Sequence, residues 1–305
     1  MQYNMQDNYN MLIKRVLDTL DKTDLQKIKK QLAKIKENTI CTGVGGSKVV
    51  SDYASSILNS KNNISSISCE PQEINFLNLK PYQNVLTCSY SGTNYGVEMS
   101  FSNTLNKYLL SHNKVSNVNN LTYYSSYQDE HSFISLAATL MPMSILLAYY
   151  LDNDFQIIKE ILNQTKTYHV EPNNVFEIIS ASYPKAAETF LESTMTESGI
   201  AIPILHGKYG YCHGRSTIAK DNKHSLILMN QNTTLDNLLL TELPQYFKQI
   251  IEIKSRYQDP IIDDYYRTYQ AMLLTKEIAK INHKDLSEVD YLPIVKKLYK
   301  FKGSM

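Results

Sequence analysis

Twice within the first hundred residues, a short apolar run of β-forming residues ends in glycine or serine and gives way to a helix-compatible stretch. Residues 39–44 (TICTGV) lead into Gly43-Val44-Gly45-Gly46-Ser47, and residues 84–89 (NVLTCS) lead into Ser89-Tyr90-Ser91-Gly92-Thr93-Asn94. Strands that alternate with helices imply a parallel sheet, because parallel neighbours need a long crossover. Residues 64–68 and 118–125 are further strand candidates, while 49–58 and a segment from about Tyr95 are helical. After a polar stretch containing Pro172 the alternation starts again. Strands are expected at 175–180, 225–229 and 247–253, an apolar run lies at 200–205, and helices are expected at 183–197 and 263–281. At ~150 residues per domain, a chain of 305 residues accommodates two such units. The expectation is an α/β protein: an N-terminal helical segment over 1–37, then two tandem α/β/α sandwiches with parallel sheets over 38–165 and 166–305, the second ending in a C-terminal tail.

The N-terminal segment carries apolar residues at helical spacing. Met11, Leu12, Val16, Leu17 and Leu20 form one stripe. After a break at 21–24, Leu25, Ile28, Leu32 and Ile35 form another, with Asp24 placed to cap it and lysines on the solvated side. Residues 133–151 (FISLAATLMPMSILLAYYL) have no formal charge and approach membrane-spanning length. They contain Ser135, Thr139, Pro142 and Ser144, and no second segment resembles them, so they read as a buried central helix.

Composition narrows the class. With 31 basic and 30 acidic side chains there is no surplus positive field to coat a nucleic acid. Cys41, Cys69, Cys88 and Cys212 form no CxxC pair, which argues against a zinc knuckle and a disulfide framework. His206, Cys212 and His213 have no metal-ligand spacing, and neither metal nor cofactor is assigned. The polar N-terminus shows no secretory leader. The expectation is a reduced, cytoplasmic protein with no membrane partner.

Each glycine- or serine-rich turn admits a chemical reading and a bland one. In GVGGS the glycines let the backbone approach a ligand, and a following helix offers unpaired amides to an anion. A tight turn needs the same glycines; the third glycine of a dinucleotide fingerprint is missing, and no GxxxxGK[ST] occurs. In SYSGTN, alternate hydroxyls and helix amides make a cradle for a phosphate monoester. Serine, threonine and asparagine also favour helix starts for local reasons.

Together, the two motifs, each closing a strand, resemble the sugar isomerase (SIS) domain family, in which an S-x-S-G-x-T/N loop grips the phosphate of a sugar phosphate. Glu130-His131-Ser132-Phe133-Ile134-Ser135 looks like the family's Glu-x-x-Val-x-Ser segment, which closes over the sugar. Residues 35–299 are similar to the isomerase half of the glucosamine–fructose-6-phosphate aminotransferases. Cys212-His213-Gly214-Arg215 resembles their Lys-His-Gly-Pro segment, whose histidine helps open the sugar ring. Glu197, sixteen residues earlier, stands in the place of their enolisation base. Residues 291–296 (YLPIVK) resemble the tail with a carbonyl-engaging lysine, which is Lys296 or, in a register shifted by one, Lys297.

The resemblance implies two flavodoxin-like SIS sandwiches and an aldose–ketose isomerase acting on a sugar phosphate or amino-sugar phosphate through an enediol(amine). Amino-sugar phosphate deaminases, fructosamine phosphate deglycases and non-catalytic sugar-phosphate sensors share the scaffold and remain alternatives. Gly45, Gly46, Ser47, Ser89, Tyr90, Ser91, Thr93 and Asn94 would hold the phosphorylated substrate, with Glu130 and Ser135 closing over it. The chemistry is coherent. A carboxylate within ~3 Å of two adjacent carbons can carry a proton between them, the better if burial raises its pKa from ~4.3. A histidine of pKa ~6.5 suits ring opening, and a lysine can polarise or condense with the open-chain carbonyl. Family sites commonly lie at a subunit interface, which implies a homodimer or dimer of dimers with His213 given to the neighbouring subunit.

Departures from the aminotransferase pattern concern specificity. Tyr90 replaces a glutamine, Asn94 a threonine and Arg215 a proline. A cation beside His213 can lower its pKa or bind a second anionic group on the substrate. Tyr90, His131 and Arg215 are the candidates for substrate choice. No glutaminase domain or Met-Cys start is present, so glutamine-fed amination by this chain alone is not expected.

Overall fold

A computed structural model describes residues 4–115, 118–125, 130, 132–221, 223–288, 293, 294 and 297. Helices α1 (Met5–Lys22) and α2 (Leu25–Leu32) come first. The break between them is a cap: Asp24 accepts a hydrogen bond from the Lys27 amide and starts α2. Then β1 (Thr39–Thr42), α3 (Gly46–Lys61), β2 (Ser66–Cys69), β3 (Asn84–Cys88), α4 (Tyr95–Ser100), β4 (Asn106–Ser111) and β5 (Asn120–Tyr123) build a five-stranded sheet. Every pairing in it is parallel, in the order β2-β1-β3-β4-β5.

Two helices, α5 (Ala137–Tyr150) and α6 (Gln156–Leu162), lead to the second unit. It comprises β6 (Val175–Ile179), α7 (Ala186–Ser198), β7 (Ile202–His206), α8 (Lys208–Cys212), β8 (Ser225–Asn230), α9 (Thr234–Glu242) and β9 (Gln249–Lys254). Its four parallel strands run β7-β6-β8-β9, and α10 (Pro260–Ile281) closes the fold. In both sheets the first strand in sequence has later strands on either side. That reversal opens a crevice beyond the carboxyl ends of the strands, where ligands of open α/β sheets bind.

The charge-free stretch forms α5, whose residues are buried almost without exception. No helix among the described residues is long and apolar enough to cross a membrane. One apolar cluster runs from Leu12 and Val16 of α1 through Val50 and Tyr53 of α3 and Leu140 and Leu147 of α5 to Leu191 and Met272 of α7 and α10. The uncharged helix is therefore the centre of a helical layer shared by both sheets. The same layer holds a buried charge cluster. Arg267 of α10 lies 2.9 Å from Asp263 and 3.6 Å from both Glu188 and Asp264. Asp264 in turn accepts from the Ala186 and Ala187 amides at the start of α7, so one carboxylate caps α7 onto α10.

The alternation predicts the sheets but not every element. Strand β4 goes unforeseen because only its second half is apolar; its burial changes from exposed to buried along its length. Helix α9 also escapes the pattern, since it buries little beyond Asp236 and Leu239.

Candidate active site

Strands β1 and β3 are neighbours, with Thr42 opposite Thr87, so the two turns that follow them emerge side by side. They touch: a β-carbon on Gly96, in α4, would lie 3.1 Å from the Val44 Cγ2 methyl. In the first turn Gly45 has φ +57° and ψ −130°, a backbone conformation that a side chain would strain. Gly46 faces a different constraint, since a β-carbon there would lie 2.4 Å from Thr139 Oγ1 and 3.1 Å from the Ser135 Cβ. The start of α5 is thus pressed against the start of α3. No side chain caps α3, a helix of 16 residues, but the Ser47 and Lys48 amides of its first turn donate to the Val44 and Gly45 carbonyls at 3.1 and 2.8 Å.

The second turn is held by its own hydroxyls. Ser89 Oγ accepts from the Gly92 amide at 3.1 Å and Ser91 Oγ from the Thr93 amide at 3.4 Å. A hydroxyl that accepts still has its proton to donate, which suits these two serines to a phosphate oxygen. Asn94 Oδ1 accepts from the Val97 amide and caps α4, so for this residue the helix-start role is realised. The end of β4 and the two residues after it brace the loop from behind. Ser111 donates to the Tyr90 carbonyl, Asn113 Nδ2 donates to the Ser91 carbonyl, and the His112 ring meets the Tyr90 ring edge-on at 3.8 Å between centroids. These bracing residues were invisible in sequence because the strand that carries them was.

A third element joins from the second sheet's unit. Glu197 stands in the last turn of α7, and its Oε1 lies 3.2 Å from where a β-carbon of Gly45 would be. The same oxygen accepts from Ser193 Oγ at 2.8 Å, one helical turn back. Glu197 as a residue is exposed, yet the atoms packed around its carboxylate strip part of its solvation and raise its pKa; the Ser193 hydrogen bond opposes this and the charge of Glu192 adds to it. Ser193 is a site residue that the i,i+4 spacing to Glu197 could have revealed.

Other expected residues fall differently. The Glu130 carboxylate accepts from the Ala137 and Ala138 amides at 3.1 and 2.9 Å, so it serves as the cap that α5 otherwise lacks. Burial raises its pKa, against those two bonds and the charge of Arg15. Ser135 reaches the site through its contact line with Gly46. His213 is the residue after α8, and both it and Arg215 are exposed. Helix α8 leaves the carboxyl end of β7, whereas Glu197 precedes the amino end of the same strand. The five residues of β7 alone span roughly 13 Å, so Glu197 and His213 lie off opposite ends of one strand. His131 and Lys296 lie outside the described residues. Lys297 is exposed, with its amide bonded to the Ile294 carbonyl.

No protein-family model and no curated protein sequence matches the chain. Solved structures do. Glucosamine-6-phosphate deaminase from Thermotoga maritima superposes with a TM-score of 0.72 at 13% identity, covering 92% of this chain and 98% of that one. The C-terminal domain of glucosamine-fructose-6-phosphate aminotransferase from Francisella tularensis gives 0.67 at 13% identity, with 94% and 98% covered. Tagatose-6-phosphate ketose/aldose isomerase from Escherichia coli gives 0.66 at 13% identity, with 90% and 92% covered. At such identity the likeness is one of fold, and the fold is that of the tandem sugar isomerase domain proteins.

Proposed function

We propose that this chain is a sugar-phosphate isomerase that moves a carbonyl between C1 and C2 of an aldose or ketose phosphate. The observation that carries the reading is the apposition of Glu197 to Gly45, which puts a carboxylate of raised pKa at the rim of an uncapped helix start. The phosphate would sit between the Gly45-Gly46 backbone at the start of α3 and the hydroxyls of Ser47, Ser89, Ser91 and Thr93, with Asn94 and Tyr90 shaping that end of the pocket. The sugar would then extend toward Glu197. In the reaction the carboxylate takes the proton from the carbon next to the carbonyl, the enediol(ate) forms, and the same group returns the proton to the neighbouring carbon. Neutral hydroxyls and the start of α3 stabilise the phosphate without a metal or a lysine in the loop.

His213 would supply ring opening, acting in the site of a second copy of the chain. Its place off the far end of β7 from Glu197 supports this reading, as do the exposed apolar residues Leu205, Tyr209 and Ile218 around α8. Arg215 would face the same substrate, and Lys296 or Lys297 would approach the open-chain carbonyl.

The decisive experiment incubates the protein with hexose and pentose phosphates in deuterated water and follows the C2 proton by NMR. Exchange with at least one sugar phosphate, lost in Glu197→Gln, is the expected result. Absence of exchange across the panel, or exchange at the wild-type rate in Glu197→Gln, overturns the reading. Release of ammonia or an amine from an amino-sugar or fructosamine phosphate in the same panel would instead assign a deaminase or deglycase.

A further inference from the structure

The second sheet buries a polar ladder where its neighbours are apolar. Glu177 is the middle residue of β6, fully buried between β7 and β8. Its Oε1 lies 2.7 Å from His224 Nδ1 and its Oε2 lies 3.3 Å from His206 Nε2. The register explains the meeting. Glu177 stands opposite Ile204 and Leu226, and the two histidines are two residues on from one and two residues back from the other, on the same face. Among the described residues, no lysine or arginine makes an ion pair with Glu177. A buried carboxylate set in the apolar cluster of Ile179, Leu226 and Leu228 is costly; the His224 hydrogen bond offsets part of that cost, while Oε2 and the His206 ring face each other at 3.3 Å without a hydrogen bond.

This ladder runs straight into the segment that carries His213. His206 is the last residue of β7, and α8 begins two residues later. The Tyr211 ring of α8, itself buried, stands edge-on to the His206 ring with centroids 5.2 Å apart. At the other end of α8, buried Lys208 pairs with buried Asp236 at 2.5 Å. A helix of five residues has no stability of its own, so these side-chain contacts hold it. His213 is its C-cap residue, and Cys212, alone among the four cysteines, is exposed.

We propose that Glu177 is a positioning residue for His213: hydrogen-bonded to His224 and standing 3.3 Å from His206, it backs the His206 ring against Tyr211 and so sets the attitude of α8. The proposal rests on the active-site role given to His213 above, but its test does not depend on that role. The test compares wild type with Glu177→Ala, Glu177→Gln and the milder His224→Asn in the intact oligomer. The first readout is the rate at which Cys212 reacts with an aromatic disulfide, the three other thiols being buried. Glu177→Ala is expected to change that rate severalfold, because the exposed thiol shifts with the end of α8 and with the charges around it. Glu177→Gln, which keeps an acceptor for His224, should restore most of the difference, and His224→Asn should fall between. The second readout is turnover of a cyclic sugar phosphate, where kcat should fall ~100-fold in Glu177→Ala with KM little changed, as for a catalytic group displaced by about an ångström. A Cys212 rate within twofold of wild type in Glu177→Ala and His224→Asn overturns the proposal. So does equal loss in the alanine and glutamine variants. If no sugar phosphate is turned over, the isomerase reading fails, while the thiol rates still decide whether Glu177 holds α8.

Discussion

Glu197 Oε1 lies 3.2 Å from the point where a β-carbon on Gly45 would stand. One residue ends a helix of the second unit and the other starts the first helix of the first unit, so the contact joins the two halves of the molecule at the candidate site. A Gly45→Ala change would therefore act twice. The methyl group would crowd the carboxylate, and the backbone at φ +57°, ψ −130° would be strained by ~1–3 kcal/mol. Stability should fall by about that amount in a urea titration, and C2-proton exchange should fall tenfold or more.

Gly46 offers a cleaner version of the same test, because its severest obstacle is one removable atom, with the Ser135 Cβ next at 3.1 Å. In Gly46→Ala the new carbon would stand 2.4 Å from Thr139 Oγ1. Thr139→Ala removes that atom. The double variant should be more stable than Gly46→Ala alone, with a coupling energy of ~1 kcal/mol or more in a double-mutant cycle. Strict additivity would show that α3 and α5 do not press together there.

Ser193→Ala tests the ionisation of Glu197. The Ser193 hydroxyl favours the charged carboxylate and burial disfavours it, with burial the larger effect. Removing the hydroxyl leaves burial unopposed, so the pKa rises further. A base must be ionised to accept a proton, and activity is lost as pH falls through that pKa. The acid limb of kcat/KM should move to higher pH in Ser193→Ala, while the rate well above the limb changes little.

The two turns and the strands behind them were legible because local and global demands coincide there. A buried parallel strand must be apolar, and a turn pressed between helices must be small. Glu197 and His213 stand out in the sequence only as members of a spaced pattern, since a helix carboxylate or a histidine taken singly carries no such signal. What escaped was set by tertiary placement. Nothing local marks Glu130 as the cap of α5, since its partners are the amides of Ala137 and Ala138, seven and eight residues on. Glu177, too, reads as a surface position until β6 is seen between two other strands. Ser111, the last residue of a strand that opens with exposed polar residues, and Asn113 just beyond it brace the second turn, and apolar patterning passes over both.

The capping role of Glu130 separates stability from binding. Glu130→Ala should lower stability by ~1–2 kcal/mol, as for loss of a helix cap, and Glu130→Gln, which still accepts a hydrogen bond, by less. Thermal unfolding would show the loss. The affinity for a sugar phosphate should change by less than the stability does, whereas a carboxylate that gripped the sugar would show the reverse.

Asp264 gives a pH dependence of opposite sign to that of a surface aspartate. Burial raises its pKa to about 7, the neighbouring Glu188 charge adds to this, and Arg267 opposes it. Its folded-state pKa therefore stands above the unfolded value of ~3.9. The folded protein holds a proton that the unfolded chain has lost, so this group's stabilisation is complete below pH ~4 and is lost as pH rises toward 7. Asp264→Asn keeps an acceptor toward the α7 amides and cannot titrate. Its stability, measured by urea unfolding at intervals from pH 4 to 7, should fall less with pH than that of the wild type.

The subunit arrangement is tested by mixing two inactive variants. Glu197→Gln and His213→Asn should each lose most activity as pure oligomers. Suppose each site takes its glutamate from one copy and its histidine from the other. A mixed dimer then holds one doubly damaged site and one site with both native residues. Unfolding and refolding an equal mixture makes half of the dimers mixed, and half of their sites are intact, so activity should return to about a quarter of wild type. If both residues serve the site of their own chain, every site in the mixture carries one lesion and nothing returns. Glu197 and His213 lie off opposite ends of β7, and that separation is why recovery of about a quarter is the expected outcome.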